Sequence, residues 1–335
     1  MERTQFAALI LPSEPAIDPK VLDGAPHLLP IAGKSIHQWV VDAALGTSVR
    51  RVVVVSSELP QQTRDALSAR LDEAQIGVVE PVDDVAETVA IALDQLGADF
   101  SMREAAHVLL LSAACPQVTS AEIRRVVDHH VGSKAAATIS AGVTDPDFRE
   151  PVVTRDSRGR VSSIVDAPIG DGAIVCVRAD LLVPALRRSQ PGHDFTNIGA
   201  RIAAVLHEAG HRVEMIDYPG HLEILRSGAS RVAVEALLRG RVISGWIDAG
   251  VVMVDPSQVA VDATVHLGKG VRVLPGTVLE GRTMVADGAR LGPNAHLIDA
   301  TIGSSATVAH AVVHGVEVPA RTAVTPFTVL GSPAL

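Results

Sequence analysis

The feature that most restricts the fold is a period of six beginning at Val261. Aliphatic residues stand at Val261, Leu267, Val273, Leu279, Val285, Leu291 and Leu297. Four positions after each comes a small or β-branched residue: Val265, Val271, Thr277, Thr283, Ala289, Ala295 and Thr301. An α-helix repeats every 3.6 residues and a strand every 2, so neither generates this pattern. A left-handed parallel β-helix of hexapeptide repeats does, with one large and one small side chain filling each corner layer of a triangular prism. Gly268, Gly270, Gly276, Gly281, Gly288 and Asn294 fall where turns between faces need unusual backbone angles. The phase slips near Ile302 and is expected to resume at Val312, Val318, Val324 and Leu330. Prisms of this kind commonly associate along their sides, so a homo-oligomer, a trimer through the β-helix, is expected.

The first two-thirds reads differently. Continuous aliphatic runs (FAALIL, RRVVVVSS, IGVVE, HVLLLSA, AAATISA) alternate with amphipathic helical patterns (SIHQWVVDAAL, LPQQTRDALSARLDEA, AETVAIALDQL, SAEIRRVVDHHV). That alternation predicts a doubly wound, Rossmann-like α/β layer around a parallel sheet, with its ligand crevice at the carboxyl ends of the strands. Polar or turn residues follow three of those ends, after Leu11, Val55 and Leu111. PVVTRDSRGRVSSIV predicts a hairpin turning at Ser157, Arg158 and Gly159, AIVCV another buried strand, and NIGARIAAVLHEAGHRV a helix closed by Gly210. The expected organisation is an α/β domain over 1–228, a helical arm over 229–250, and the β-helix over 251–335. Trp246, near the end of the arm, is expected to pack on the first coil.

Composition narrows the function classes. Aromatics are 2% of 335 residues, so stacking platforms for bases are scarce, and a net charge of −9 with no basic stripe argues against a nucleic-acid partner. No apolar run approaches the ~20 residues of a membrane helix and the first residues lack a signal-peptide layout, so no membrane association is expected. Cys115 and Cys176 are the only cysteines and both lie in apolar company, which suggests inert thiols in a reducing, cytoplasmic compartment.

An α/β domain, a helical arm and a hexapeptide β-helix, in that order, resemble the bifunctional N-acetylglucosamine-1-phosphate uridylyltransferase/glucosamine-1-phosphate acetyltransferase family. The segments carrying the resemblance are GRVSSIVDAP and the long run from LLRGRVISGWIDAGVVMVDPS to LGPNAHLIDATIG. AETVAIAL and LLLSAACPQVTSAEIRRVV are instead similar to the related methylerythritol-phosphate cytidylyltransferases. The resemblance implies attack by a sugar-phosphate oxygen on the α-phosphorus of a nucleoside triphosphate, releasing pyrophosphate. That chemistry needs a glycine-rich loop with basic residues, an acid holding Mg²⁺, and polar base and sugar pockets.

Position by position, these parts are altered. The loop from Leu11 carries Pro12, Ser13, Glu14, Pro15 and Asp18 where glycines and an arginine are implied. Prolines remove N–H donors and the acids repel a polyphosphate. Lys20 and His27 are the candidate catalytic cations. The metal acid falls at Ser112 or Ala114, and the second metal ligand near Ala229 or Ser230, so no metal site is expected unless a rebuilt site recruits Mg²⁺. The base pocket maps to Asp84, with Asp83 beside it, and to Glu87 and Thr88; the sugar pocket maps to Asp166 and Asp171. Those residues serve equally as helix-start and turn residues. The family's acetyl-CoA site and catalytic histidine lie on later coils than TPFTVLGSPAL, so the acetyltransferase half is expected to be incomplete; His310 and His314 are expected in solvent-facing turns. Three readings follow: a catalytically degenerate scaffold or regulatory partner, which can include partnering a homologous active enzyme; an active sugar-phosphate nucleotidyltransferase with a rebuilt site; and a short acyltransferase acting between β-helices.

Overall fold

The computed structural model of the chain describes residues 5–12, 30–70, 74–97, 100, 106–141, 150–155, 161–167, 171–189, 195, 197–219, 222–225 and 227–331, with backbone alone for 141–172 within those limits. The chain forms two compact units. One consists of Pro30–Lys34 together with everything from Glu235 onward; the other is the remainder.

The first unit is built on a seven-stranded sheet of order β3-β2-β1-β4-β8-β5-β9. Its strands are β1 Gln5–Leu11, β2 Arg51–Val55, β3 Gln75–Val79, β4 Ala106–Ser112, β5 Ala137–Ala141, β8 Asp171–Arg178 and β9 Val213–Asp217, while β6 Glu150–Arg155 and β7 Val161–Ala167 form a separate hairpin. Side chains alternate between faces along a strand, yet Ala7 through Leu11 and Val108 through Leu111 are all buried, so helices cover both faces. The sheet is mixed rather than parallel: β8 runs antiparallel to both β4 and β5. AIVCV therefore reads correctly as a buried strand but not in direction. It follows the β6–β7 hairpin instead of a helical crossover, and only crossovers oblige the chain to re-enter a sheet in the same sense.

Local signals fix the helices. In α1 (Ile36–Leu45) Ser35 caps the amino end, its Oγ accepting from Gln38 N at 3.2 Å while Gln38 Oε1 accepts from Ser35 N at 2.7 Å. That reciprocal pair satisfies two amides the helix leaves free. The helices α2 (Gln61–Ser68) and α3 (Val85–Gln95) follow, then α4 (Ser120–Ser133), where Thr119 and Glu122 repeat the capping box. Next come α5 (Ala179–Arg188) and α6 (Ile198–Glu208), the latter closed by Gly210 at φ 78°.

The 21-residue α7 (Gly228–Asp248) leads into the second unit. Thirteen strands of two or three residues, β10 Val252–Met253 to β22 Val329–Leu330, stack in parallel into three sheets. Val261, Leu279, Leu297 and Val313 lie in register along one sheet, Leu267, Val285, Ile302 and Val318 along another, and Val273, Leu291 and Val308 along the third; all point inward and are buried. Threonines at the corners stay satisfied: Thr277 and Thr283 hydroxyls each donate to a carbonyl three residues back at 2.7 Å. Gly268 is required by proximity, since a Cβ there would lie 2.7 Å from Asp287 N on the next coil. Trp246 meets the His266 ring edge-on at 5.4 Å, so it packs on the first coil as expected.

The phase slip differs in detail from the sequence reading. The buried positions are Ala300, Ile302 and Val313, not Thr301 and Val312. Single-residue bends at Asp299 (φ 48°), His310 (φ 48°) and Gly315 (φ 64°) replace two-residue turns, so three six-residue steps become five-residue steps. Eighteen residues separate Val261 from Leu279 and Leu279 from Leu297, but sixteen separate Leu297 from Val313.

Candidate functional site

The strand order of the first unit reverses between β1 and β4, and a crevice at the carboxyl ends of strands beside such a switch point is where an open α/β sheet binds ligands. Register puts Leu11 opposite Ser112 there. Leu11 O accepts from Ala113 N at 3.0 Å, which fastens the two strand ends together. Ser112 turns the chain: its Oγ accepts from Ala114 N (3.2 Å) and its carbonyl from Cys115 N (3.2 Å). Ala114 is buried and its carbonyl accepts from Leu225 N at 2.9 Å. Pro12 is half-buried and has no amide to offer.

Next along the edge, Asp84 caps α3, accepting from Glu87 N at 2.7 Å. Thr88 is fully buried; its hydroxyl accepts from Val82 N (2.9 Å) and donates to Asp84 O (3.0 Å), so it ties down the loop before the helix. Asp83, Asp84 and Glu87 are exposed. On the other side of the switch, Asp171 opens β8 opposite Ala141, and Ala141 also pairs with Asp217, the last residue of β9. Two aspartate-bearing positions therefore flank Ala141 on one sheet edge. Asp217 was missed in sequence because VEMID is a short run without alternation. Asp166 lies in β7 opposite Pro151, within the hairpin. Ser13, Glu14, Lys20 and His27 lie outside the described residues.

Charge at this edge is one-sided. The described residues following the strand ends, 11–12, 56–58, 80–84 and 112–115, include Glu58, Glu80, Asp83 and Asp84 but no lysine or arginine. Magnesium requires hard oxygen ligands, usually a carboxylate shared with substrate phosphates. A serine hydroxyl engaged in a turn and a buried alanine at the two mapped positions do not fit it, and no group of three or more His, Cys, Asp or Glu among the described residues is arranged for a metal.

Two perturbed histidines lie at the opposite, amino end of β4. His130 of α4 is buried, with Nδ1 2.9 Å from Thr138 Oγ1 and Nε2 2.9 Å from His107 Nδ1. Burial, reinforced by the neighbouring His107 and His129, lowers the His130 pKa to about 3. Burial, with Arg178 nearby, lowers that of His107 as well. Burial pushes the Cys176 thiol up, which keeps it protonated and unreactive. Perturbed groups often mark active sites, but His107 and His130 sit away from the crevice and knit β4, α4 and β5 together.

In the second unit a groove of about 460 Å³ is lined by Asn294, His310, Val312, Phe327 and Val329 among others. Phe327, 87% exposed, tilts over the His310 ring at 5.6 Å. His310 occupies a bend and His314 ends a strand, and both are half-buried instead of lying in solvent-facing turns.

Among the described residues no helix is long and apolar enough to cross a membrane. No family model matches the chain. Curated relatives do: the bifunctional protein GlmU of Caldanaerobacter subterraneus is 25% identical over 89% of this chain, that of Geobacillus sp. 27% over 90%, and that of Kineococcus radiotolerans 29% over 87%. The chain spans 60–66% of the length of these relatives. Among solved structures, CMP:2-keto-3-deoxy-manno-octonic acid synthetase complexed with CTP superposes on 71% of this chain and 99% of its own, with TM-score 0.52 at 15% identity. The chain is thus similar to the GlmU proteins along most of its length, and its first unit shares the α/β fold of that synthetase.

Proposed function

We propose that this GlmU-like chain no longer performs nucleotidyl transfer and works as a folded scaffold or regulatory partner, assembled as a trimer through its β-helix in a reducing, cytoplasmic setting. The observation that carries the reading is the carboxyl end of β4. A metal-holding carboxylate is wanted there, and instead Ser112 is engaged in the turn and Ala114 is buried. Removing one electrostatic stabiliser typically lowers a rate by 10²–10³. Here the metal acid, the loop glycines and the loop arginine are replaced together, by Ser112 or Ala114 and by the stretch from Pro12 to Asp18. Two buried free cysteines support the compartment.

The test is a pyrophosphate-release assay across the four nucleoside triphosphates with sugar phosphates and Mg²⁺, beside calorimetric titration of the same nucleotides. No turnover is expected. A rate above ~0.1 s⁻¹, still below the usual enzyme range, overturns the reading. A sedimenting mass near three times 35.0 kDa supports the trimer, and a monomer mass removes it.

One observation favours the second reading, an active transferase with a rebuilt site. Asp171 and Asp217 flank Ala141 on the same sheet edge, where a cation or a sugar hydroxyl would be met. Under that reading Asp217→Asn abolishes turnover.

A further inference from the structure

The seven-stranded sheet ends at β3, and among the described residues no strand pairs with its far side. The register of β2 with β3 runs unbroken from Arg51 opposite Gln75 to Val55 opposite Val79. Two bonds fix which residues face inward: Gln75 N donates to Arg50 O at 2.9 Å, and Ser56 N to Val79 O at 3.0 Å. In a parallel pair alternate residues of a strand bond to the same neighbour. Gln75, Gly77 and Val79 therefore direct their N–H and C=O groups at β2, and those of Ile76 and Val78 point away from the sheet.

Natural edges are blunted by lysines, prolines, bulges or a covering element. QIGVV has no charge, no proline and no bulge. Among the described residues its outward groups receive one hydrogen bond, from Gln95 of α3, whose Nε2 donates to Val78 O at 3.4 Å. The same side chain lies over Gly77, where a Cβ would stand 2.4 Å from Gln95 Oε1. That bond is long and Gln95 is exposed, so an incoming backbone N–H displaces it readily. Val78 itself is 40% exposed.

Charge decides what kind of strand fits. Between Arg70 and Arg103 the sequence holds eight acidic residues and no lysine or arginine. Glu80, directly after the strand, Asp83 and Asp84 in the next loop, and Glu87 and Asp94 on α3 are all exposed. A second copy of this chain would bring the same acids against them, and like charges across an interface suppress pairing. A strand bearing lysine or arginine meets the opposite sign.

We propose that β3 is a docking edge for an extended, lysine- or arginine-bearing segment of a partner protein, which joins the sheet as a further strand. Ile76 and Val78 supply the backbone ladder, and the acids after β3 and along α3 select the charge. Because β2 separates this edge from the switch point at β1 and β4, it serves a partner whether or not the crevice turns nucleotides over.

The probe is a fluorescein-labelled peptide of about eight alternating lysines and valines, a common strand length, titrated into the full chain and followed by anisotropy. A glutamate–valine peptide and a lysine–proline peptide, the latter with the same charge but unable to form a ladder, are titrated beside it. The lysine–valine peptide is expected to bind at least about tenfold tighter than either, and more weakly as salt rises. It should slow hydrogen exchange at the Ile76 and Val78 amides and leave that of Gly77, already bonded to β2, unchanged.

Val78→Pro removes an outward amide without touching the ladder to β2, as prolines on edge strands do, and should weaken this peptide by about fivefold or more. Val78→Lys sets a like charge on the edge and should act in the same direction if the proline variant does not fold. Equal binding of the lysine–proline or glutamate–valine peptide, affinity unmoved in whichever variant folds, or protection confined to other amides overturns the proposal. So does self-association of the chain that Val78→Pro or Val78→Lys abolishes, which would make a second copy the occupant.

Discussion

The β-helix and the α/β unit arrive at comparable burial by opposite routes. In the β-helix each inward residue is dictated by its neighbours six positions away, so Val261, Leu279 and Leu297 stack because the period puts them there. In the α/β unit each strand is buried on both faces, and nothing in the composition of a buried strand records its direction or its neighbours. Periodicity fixes three-dimensional order in the first case; caps and crossovers must supply it in the second.

The largest effect should come from cutting the period itself. Leu297→Ala removes a fully buried side chain from the β-helix interior and should lower stability by about 2–5 kcal/mol, read as a fall in urea midpoint. A loss under about 1 kcal/mol would mean that the stacked column collapses around the gap and that the period does not determine the packing.

The α/β unit should respond to acid. Unfolded His130 takes up a proton below its ordinary value of 6.5, whereas the folded residue resists down to about 3. Between those limits the unfolded state binds more protons, so stability falls as pH falls, by up to about 1.4 kcal/mol per pH unit and about 2 kcal/mol at pH 5. His107, His129, Arg178 and Asp180 share the neighbourhood. His130→Gln should flatten the dependence across this window in urea midpoints measured from pH 7 to pH 4. An unchanged slope would assign the acid sensitivity elsewhere.

The smallest effect distinguishes scaffold from pocket within the α/β unit. Asp84→Ala deletes the α3 cap and should reduce stability by about 1 kcal/mol without altering any thermal response to nucleotides. If the variant keeps its stability but loses a nucleotide-induced shift present in the parent, Asp84 returns to the base pocket.

Legibility in the sequence followed the same division. The six-residue columns, the helix stop at Gly210 and the β6–β7 hairpin are all readable because each rests on a local rule. The bends at Asp299 and His310 are not, since one residue at positive φ does the work of two and the residue types alone do not announce it. The reversed β8 and the short β9 escape because strand direction and edge position depend on residues far away. At the candidate site, counting from the LLL strand suffices to find Ser112 and Ala114. Asp84 and Thr88 could not be assigned that way, because a capping carboxylate and a ligand-binding one look alike until the hydrogen bond from Glu87 N is seen. Asp217 required strand register, and the Arg239–Asp262 pair required coil geometry.

The shortening of the prism couples backbone length to side-chain volume. Its corners carry Val265, Val271 and Thr277 in the first circuit, Thr283, Ala289 and Ala295 in the second, and Ala300, Ala306 and Ala311 in the third, where the circuit has lost two residues. A tighter perimeter encloses a smaller cross-section, and densely packed interiors have no slack to absorb a mismatch. Restoring a residue at Asp299 or His310 would therefore open a void unless Ala300 or Ala311 grew with it, so in this part of the molecule bends and corners are free to change only in concert.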